Sequence, residues 1–136
     1  MSIFVDASKR FELRLKCNII KDANNEVICY RINPEGLATI SCDVKARSFS
    51  EMSHIIEEAT IINSVTGNPL LRTSVLCKLI LSTFFSSIRI TELVEIEDEM
   101  KEQTEVFYPD INNVNQIRYE LVKALSKKWL ELTGGK

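Results

Sequence analysis

His54 is the only histidine of the 136 residues, and Glu51, Glu57 and Glu58 stand close to it in the chain. A nucleophilic triad needs an imidazole beside a serine or cysteine and a carboxylate. No serine of this sequence sits in a nucleophile-elbow pattern of the Gly-x-Ser-x-Gly kind, so His54 reads as a surface helix position. Cys17, Cys29, Cys42 and Cys77 include no Cys-x-x-Cys pair, and with one histidine they supply no common zinc ligand set. Each lies in an apolar pattern, where a thiol packs as a small hydrophobe, and reduced, buried thiols are expected. The acids from Glu92 to Glu105 offer oxygen ligands, but the alternating acids and central glycine of an EF-hand loop are missing. Seven acids against one base, Lys101, read instead as a solvated connector in which like charges repel. No phosphate-cradling GxxxxGK[ST] or GxGxxG pattern occurs. No enzymatic activity, metal or cofactor is expected.

A binding surface is the remaining class of function. Arg10, Arg14, Lys16 and Lys21, with Phe11 and Tyr30, have the elements of a single-strand nucleic-acid platform. However, Glu12 and Asp22 interrupt the basic set, and the net charge of -2 gives no basic field. Arg118, Lys123, Lys127 and Lys128 fit the wet side of a helix. Trp129 is either a core anchor or an interface anchor of the kind enriched at contact centres. Candidate partner contacts are Arg72 and Lys78, the only two charges in the run from Asn68 to Ile88, together with Phe85 and Trp129.

The elements that must position these residues follow from periodicity. Apolar residues make up 45% of the chain and charged residues 26%, which is the balance of a globular domain, and 136 residues suit a single one. Phe11, Leu13, Leu15, Cys17 and Ile19 alternate with polar residues as a half-buried strand does. Val27–Ile32 and Leu37–Val44 are further strands, set off by polar residues 21–26 and by Asn33-Pro34-Glu35-Gly36. Ser48-Phe49-Ser50-Glu51 has the form of a capping box and opens a helix to about Asn63. Asn68-Pro69 opens a second, apolar over most of its girth, to Ile88. A third runs from Asn112 or Asn113 to about Thr133, stopped by Gly134-Gly135 and with Lys123, Lys127 and Lys128 favourable to its dipole. The fold class is α+β: an N-terminal three-stranded antiparallel meander followed by three main helices. One domain, 1–136, divides into a β-meander (1–47), a helical pair (48–90), an acidic connector (91–110) and a C-terminal helix (111–136). The N-terminus has no signal-peptide pattern, and the central run falls short of the about 20 apolar residues a membrane span needs.

The layout also resembles small tail-assembly or tail-chaperone-type proteins of tailed bacteriophages. The resemblance rests on Tyr30-Arg31-Ile32-Asn33-Pro34-Glu35-Gly36-Leu37, on Phe49-Ser50-Glu51-Met52, and on Asn68-Pro69-Leu70-Leu71-Arg72 opening a run that ends in Ser86-Ser87-Ile88. A short helix after Pro109 fits the same plan, which spans residues 10 to 130; the acids from Glu92 to Glu105 depart from it. The resemblance implies a non-catalytic, protein-binding component of particle assembly, either a chaperone for a tail protein or a small structural subunit. The implied partners are a protein or further copies of the chain, without nucleic acid or membrane, in the host cytoplasm or the virion. A regulatory or inhibitory adaptor that binds a host or rival protein is the second reading, and a weak nucleic-acid-binding module the third.

Overall fold

The alternation beginning at Phe11 becomes β1 (Phe11–Lys21), the strand on which the sheet is laid. The computed structural model describes residues 5–6 and 8–134; the readings made of residues 1–4 and of Gly135 lie outside them. β2 (Val27–Ile32) and β3 (Ala38–Val44) precede α1 (Phe49–Ala59) and a short hairpin of β4 (Thr60–Ile62) and β5 (Pro69–Leu71). Then come α2 (Thr73–Phe84), β6 (Phe85–Ile96), β7 (Glu99–Phe107), a 3-10 turn at Val114–Gln116 and α3 (Tyr119–Gly134). The fold is α+β, with antiparallel strands leading and three helices following, as expected. Its main sheet has five strands in the order β2-β1-β3-β6-β7.

That order corrects the meander: β3 pairs with β1, not with β2. Ile32 and Ala38 are both register partners of Cys17, one on each side of β1. The Asn33–Leu37 segment is therefore a crossing over β1 instead of a hairpin turn. Along it the Asn33 N–H donates to the Lys16 carbonyl (3.0 Å) and the Leu37 N–H to Asn18 Oδ1 (3.3 Å). A Cβ on Gly36 would collide with the backbone of Cys17, so glycine is what lets the two chains pass.

The apolar run expected as one helix is three elements. Asn68 and Pro69 belong to the β4–β5 hairpin, and Arg72 occupies the N-cap of α2 without a side-chain capping bond. After Phe84 the chain turns directly into strand. Val44 faces Phe85 while Asp43 faces Ser87, so Ser86 bulges out of the ladder. The bulge brings Phe85 and Ile88 to the same buried side although they are three residues apart, which on paper is a helical spacing. α1 begins as expected: Ser48 Oγ accepts from the Glu51 N–H (3.3 Å), and the Ser48 hydroxyl donates to the Glu51 carboxylate (3.0 Å). It ends at Ala59, earlier than the Asn63 expected.

The acidic connector is corrected to a β-ribbon. β6 and β7 pair from Ile88–Phe107 to Ile96–Glu99. Glu97 and Asp98 form the turn, with φ of 52° and 66°, the positive pair that a two-residue hairpin loop of type I′ takes. Thr91, opposite Thr39, is the last residue of β6 that β3 supports. Beyond it the ribbon continues as two strands alone.

The helices cover one face of the sheet. Leu13, Cys17, Ile40, Cys42 and Val44 meet Ile55 of α1, Ile80, Leu81 and Phe84 of α2, and Leu121, Leu125 and Trp129 of α3. The opposite face is polar. There the Arg89 guanidinium donates to Asp43 (3.1 Å), Ser87 (3.2 Å) and Ser41 (3.3 Å), and Thr91 and Thr104 share a 3.0 Å hydroxyl contact. The closing helix starts at Tyr119, later than expected, and its last turn has no basic residue of its own. Arg47 supplies that cation, donating to the Leu130 carbonyl (2.8 Å) and Thr133 Oγ1 (3.0 Å).

Candidate protein-contact site

The girth of α2 exceeds what the sheet, α1 and α3 enclose. Between α2 and α3 a groove of about 650 Å³ is left open, floored by Leu76, Cys77, Ala124 and Leu130 and edged by Lys123 and Lys127. Cys77 is buried in this floor, and the Ser126 hydroxyl beneath it donates to the Val122 carbonyl (2.7 Å), with a longer approach to that of Cys77 (3.3 Å). Glu120 and Glu131 line the same groove, three residues before Lys123 and four after Lys127, so its rim along α3 carries both charges; Glu120 also accepts from the Tyr30 N–H (3.0 Å). An apolar floor with a rim of both charges suits the apolar face of an amphipathic segment.

The four residues expected to contact a partner have different positions. Arg72 is exposed, but its guanidinium donates to the Glu58 carbonyl (2.6 Å) and more weakly to that of Ala59 (3.3 Å), closing the C-terminal end of α1. Lys78 is half-buried and lines a second hollow, about 390 Å³, with Val75, Val114, Ile117 and Val122. Phe85 and Trp129 are buried in the core and present no surface to a partner. The structure does not gather the four into one patch. Ala124 and Leu130 of the groove floor are missed as contact residues by the sequence, while Lys123 and Lys127 beside them are exposed on the wet side of the helix, as expected.

Titratable groups mark structure. Burial pushes the Cys42 thiol up to about 12 and also raises Cys17, and all four cysteines are free. Cys17, Cys42 and Cys77 are buried as expected, while Cys29 is half-exposed. The Arg89 hydrogen bond holds the Asp43 carboxyl below its ordinary range. Partial burial would raise Glu51, but the Lys45 ammonium at 2.6 Å and the Ser48 hydroxyl outweigh it and hold it low. His54 is exposed, 3.0 Å from Glu58 one turn on. Among the described residues no group of three or more His, Cys, Asp and Glu could hold a metal ion, and no helix is long and apolar enough to cross a membrane.

Comparison with protein-family models, with curated proteins and with solved structures finds no match.

The two edges of the sheet differ. At β2 the Arg118 guanidinium donates to the carbonyls of Val27 and Ile28 (both 2.8 Å), and the Glu120 carboxylate takes the Tyr30 N–H. Side chains thus cap that edge from Val27 to Tyr30. At β7, every residue from Glu99 to Val106 is exposed.

Proposed function

We propose that this chain is a non-catalytic protein-binding component of phage particle assembly, a tail-assembly factor, chaperone or small structural subunit. The observation that carries the protein-binding part is the open apolar groove between α2 and α3, floored by Leu76, Cys77, Ala124 and Leu130. The resemblance in layout to tail-assembly proteins supplies the phage context, and with it the host cytoplasm or the virion as the place of action. The test is affinity capture from the cells that make the protein, comparing the native chain with Ala124→Arg, which puts a bulky cation into the groove floor. A particle protein retained by the native chain and lost with the variant is the expected result. Equal capture by both chains would remove the groove from the reading.

A regulatory or inhibitory adaptor is the second reading, favoured by the acidic ribbon. Seven acids against one base between Glu92 and Glu105 make a surface suited to a basic site on another protein. Capture of a host enzyme or regulator through the ribbon, unaffected by Ala124→Arg, would favour it over assembly.

A further inference from the structure

We infer that the open edge of β7 is a docking strand for an extended, lysine- or arginine-bearing segment of a partner protein, which adds to the sheet as a sixth strand. In an edge strand alternate residues point their N–H and C=O groups away from the sheet, and these are a template for another strand. The molecule caps the Val27–Tyr30 part of one edge, spending Arg118 and Glu120 on two carbonyls and one amide of β2. It leaves β7 exposed from Glu99 to Val106.

The chemistry of the occupant follows from the side chains along that edge. Glu99, Glu102 and Glu105 lie on β7 itself, and Glu92, Glu95, Glu97 and Asp98 lie on β6 and the turn. Two cations offset them: Lys101 stands 4.0 Å from Glu99, and Lys21 of β1 holds Glu92 at 3.1 Å. Glu95, Glu102 and Glu105 belong to no ion pair among the described residues. A second copy of β7 would bring like charges face to face, which is destabilising for directly opposed strands. A nucleic acid would be repelled for the same reason. An incoming strand with cations on it is attracted on both faces, since Glu105 and Glu102 point to opposite sides of the ribbon.

The inner side of the same strand offers a place for one such cation. A cavity of about 310 Å³ opens there, lined by Ile19, Tyr30, Ile90, Glu92, Gln103 and Glu105 among others. Lys21 holds Glu92 at 3.1 Å, leaving the Glu105 carboxylate and the Gln103 carbonyl to accept from a guest ammonium or guanidinium. Leu93 and Met100, 53% and 62% exposed, sit diagonally on the outer side and would cover the aliphatic stem of another.

The test uses the full chain and a capped eight-residue peptide of alternating lysine and valine. Titration calorimetry and backbone amide spectra are recorded with it, with its glutamate–valine counterpart, and with a copy N-methylated on alternate residues to remove the edge-facing donors. The lysine peptide should bind, shift amides of residues 99–106 and weaken several-fold when salt rises from about 0.05 to 0.2 M, as attraction between exposed charges is screened. The N-methylated copy, with the same charge, should bind at least about tenfold more weakly, consistent with lost ladder hydrogen bonds. The double variant Glu102→Lys/Glu105→Lys should lose the lysine peptide and accept the glutamate one, its fold checked by the unchanged amide spectrum of β1 and β3. Equal binding of the N-methylated copy would reduce the effect to diffuse charge attraction and overturn strand addition. No binding of the lysine peptide, or shifts confined to the α2–α3 groove, would overturn it as well.

Discussion

The indole of Trp129 stacks on the ring of Phe84, with 4.4 Å between centroids and 24° between planes. The pair joins the last turn of α2 to α3 at the centre of the core. Arg47 lies over the indole at 5.4 Å, and the indole N–H donates to the Lys45 carbonyl at 2.9 Å. Trp129 is thus tied to the segment that leads from β3 into α1. A fully buried ring with its one polar atom bonded anchors three parts of the chain at once, α2, α3 and the segment between β3 and α1.

Trp129→Ala should lower unfolding free energy by about 3–5 kcal/mol, the range for removing a buried large aromatic. Trp129→Phe keeps a ring on Phe84 but leaves the Lys45 carbonyl without its donor, and should cost less. Urea denaturation followed by circular dichroism decides, because either change removes the only tryptophan signal. A loss under about 1 kcal/mol for the alanine variant would contradict the buried position.

At the crossing, Gly36→Ala should destabilise by about 1–3 kcal/mol, because the methyl meets backbone of β1 that cannot rotate aside. Gly67→Ala is the control. Its Cβ would meet open space, and its cost, about 1 kcal/mol, comes only from a φ of 73°. Thermal melts of the two variants side by side are sufficient. If Gly67→Ala is the more damaging, the crossing is looser than described.

The ribbon turn contains two non-glycine residues at positive φ. Replacing Glu97-Asp98 by Asn-Gly relieves that strain and should stabilise the ribbon by about 1 kcal/mol. Hydrogen exchange at Val94 and Lys101, register partners near the tip, is the readout. Slower exchange is expected there; unchanged exchange would mean the turn does not limit ribbon opening.

On the alkaline side, Cys42 makes the fold less stable as pH rises. Its folded value is raised to about 12, so between the ordinary thiol range near pH 9 and that value the folded chain keeps a proton the unfolded chain has lost. Stability attributable to Cys42 is therefore whole below about pH 9 and falls by up to about 1.4 kcal/mol per pH unit above it. Cys42→Ala should be less stable at neutral pH and yet show a shallower alkaline decline. Denaturation at pH 8 and 10 measures both. Thiol labelling of the native chain should reach Cys29 first, since the other three are buried.

On the acid side, the Arg89 hydrogen bond keeps Asp43 ionised to lower pH in the folded chain than in the unfolded one. The contribution is present above about pH 4 and is lost as pH falls through the lowered folded value. The pair lies on the exposed face of the sheet, so the effect is small and salt-sensitive. Asp43→Asn should flatten the pH 7 to pH 3 profile of the urea midpoint slightly. A steeper profile in the variant would reverse the sign of the argument.

The strands β1, β2 and β3, the start of α1 and the stripe of α3 were legible because each has one buried face and a local start signal. Ser48 and Glu51 bind each other as their spacing announces. The pairing of β3 was not legible, because Asn33-Pro34-Glu35-Gly36 has the same composition whether it turns a hairpin or crosses a strand; only the Cys17 backbone tells the two apart. Phe84, Phe85 and Ile88 read as helix because a bulge at Ser86 imitates the helical interval. β7 was hidden because its acids are poor strand formers and its turn lacks glycine; its pairing with a β6 already held by β3 overrides that propensity. Trp129 was weighed between core and interface, and packing against Phe84 settles it as core. The groove was foreshadowed by the excess girth of the apolar run, but not its charged rim, which depends on how α3 is rotated against α2.

The bulge at Ser86 also governs how the chain can change length. Deleting Ser86 would leave Phe85 opposite Val44 and Ser87 opposite Asp43, and every later side chain of β6 on its present face. Inserting one residue between Ser87 and Thr91 would do the reverse, turning Ile88 or Ile90 towards water and Arg89 towards the core, because strand faces alternate with period two. Insertions at the Glu97-Asp98 tip would disturb no buried contact. Gains and losses of residues among descendants of this gene should therefore collect at Ser86 and at the tip, and spare the stretch between.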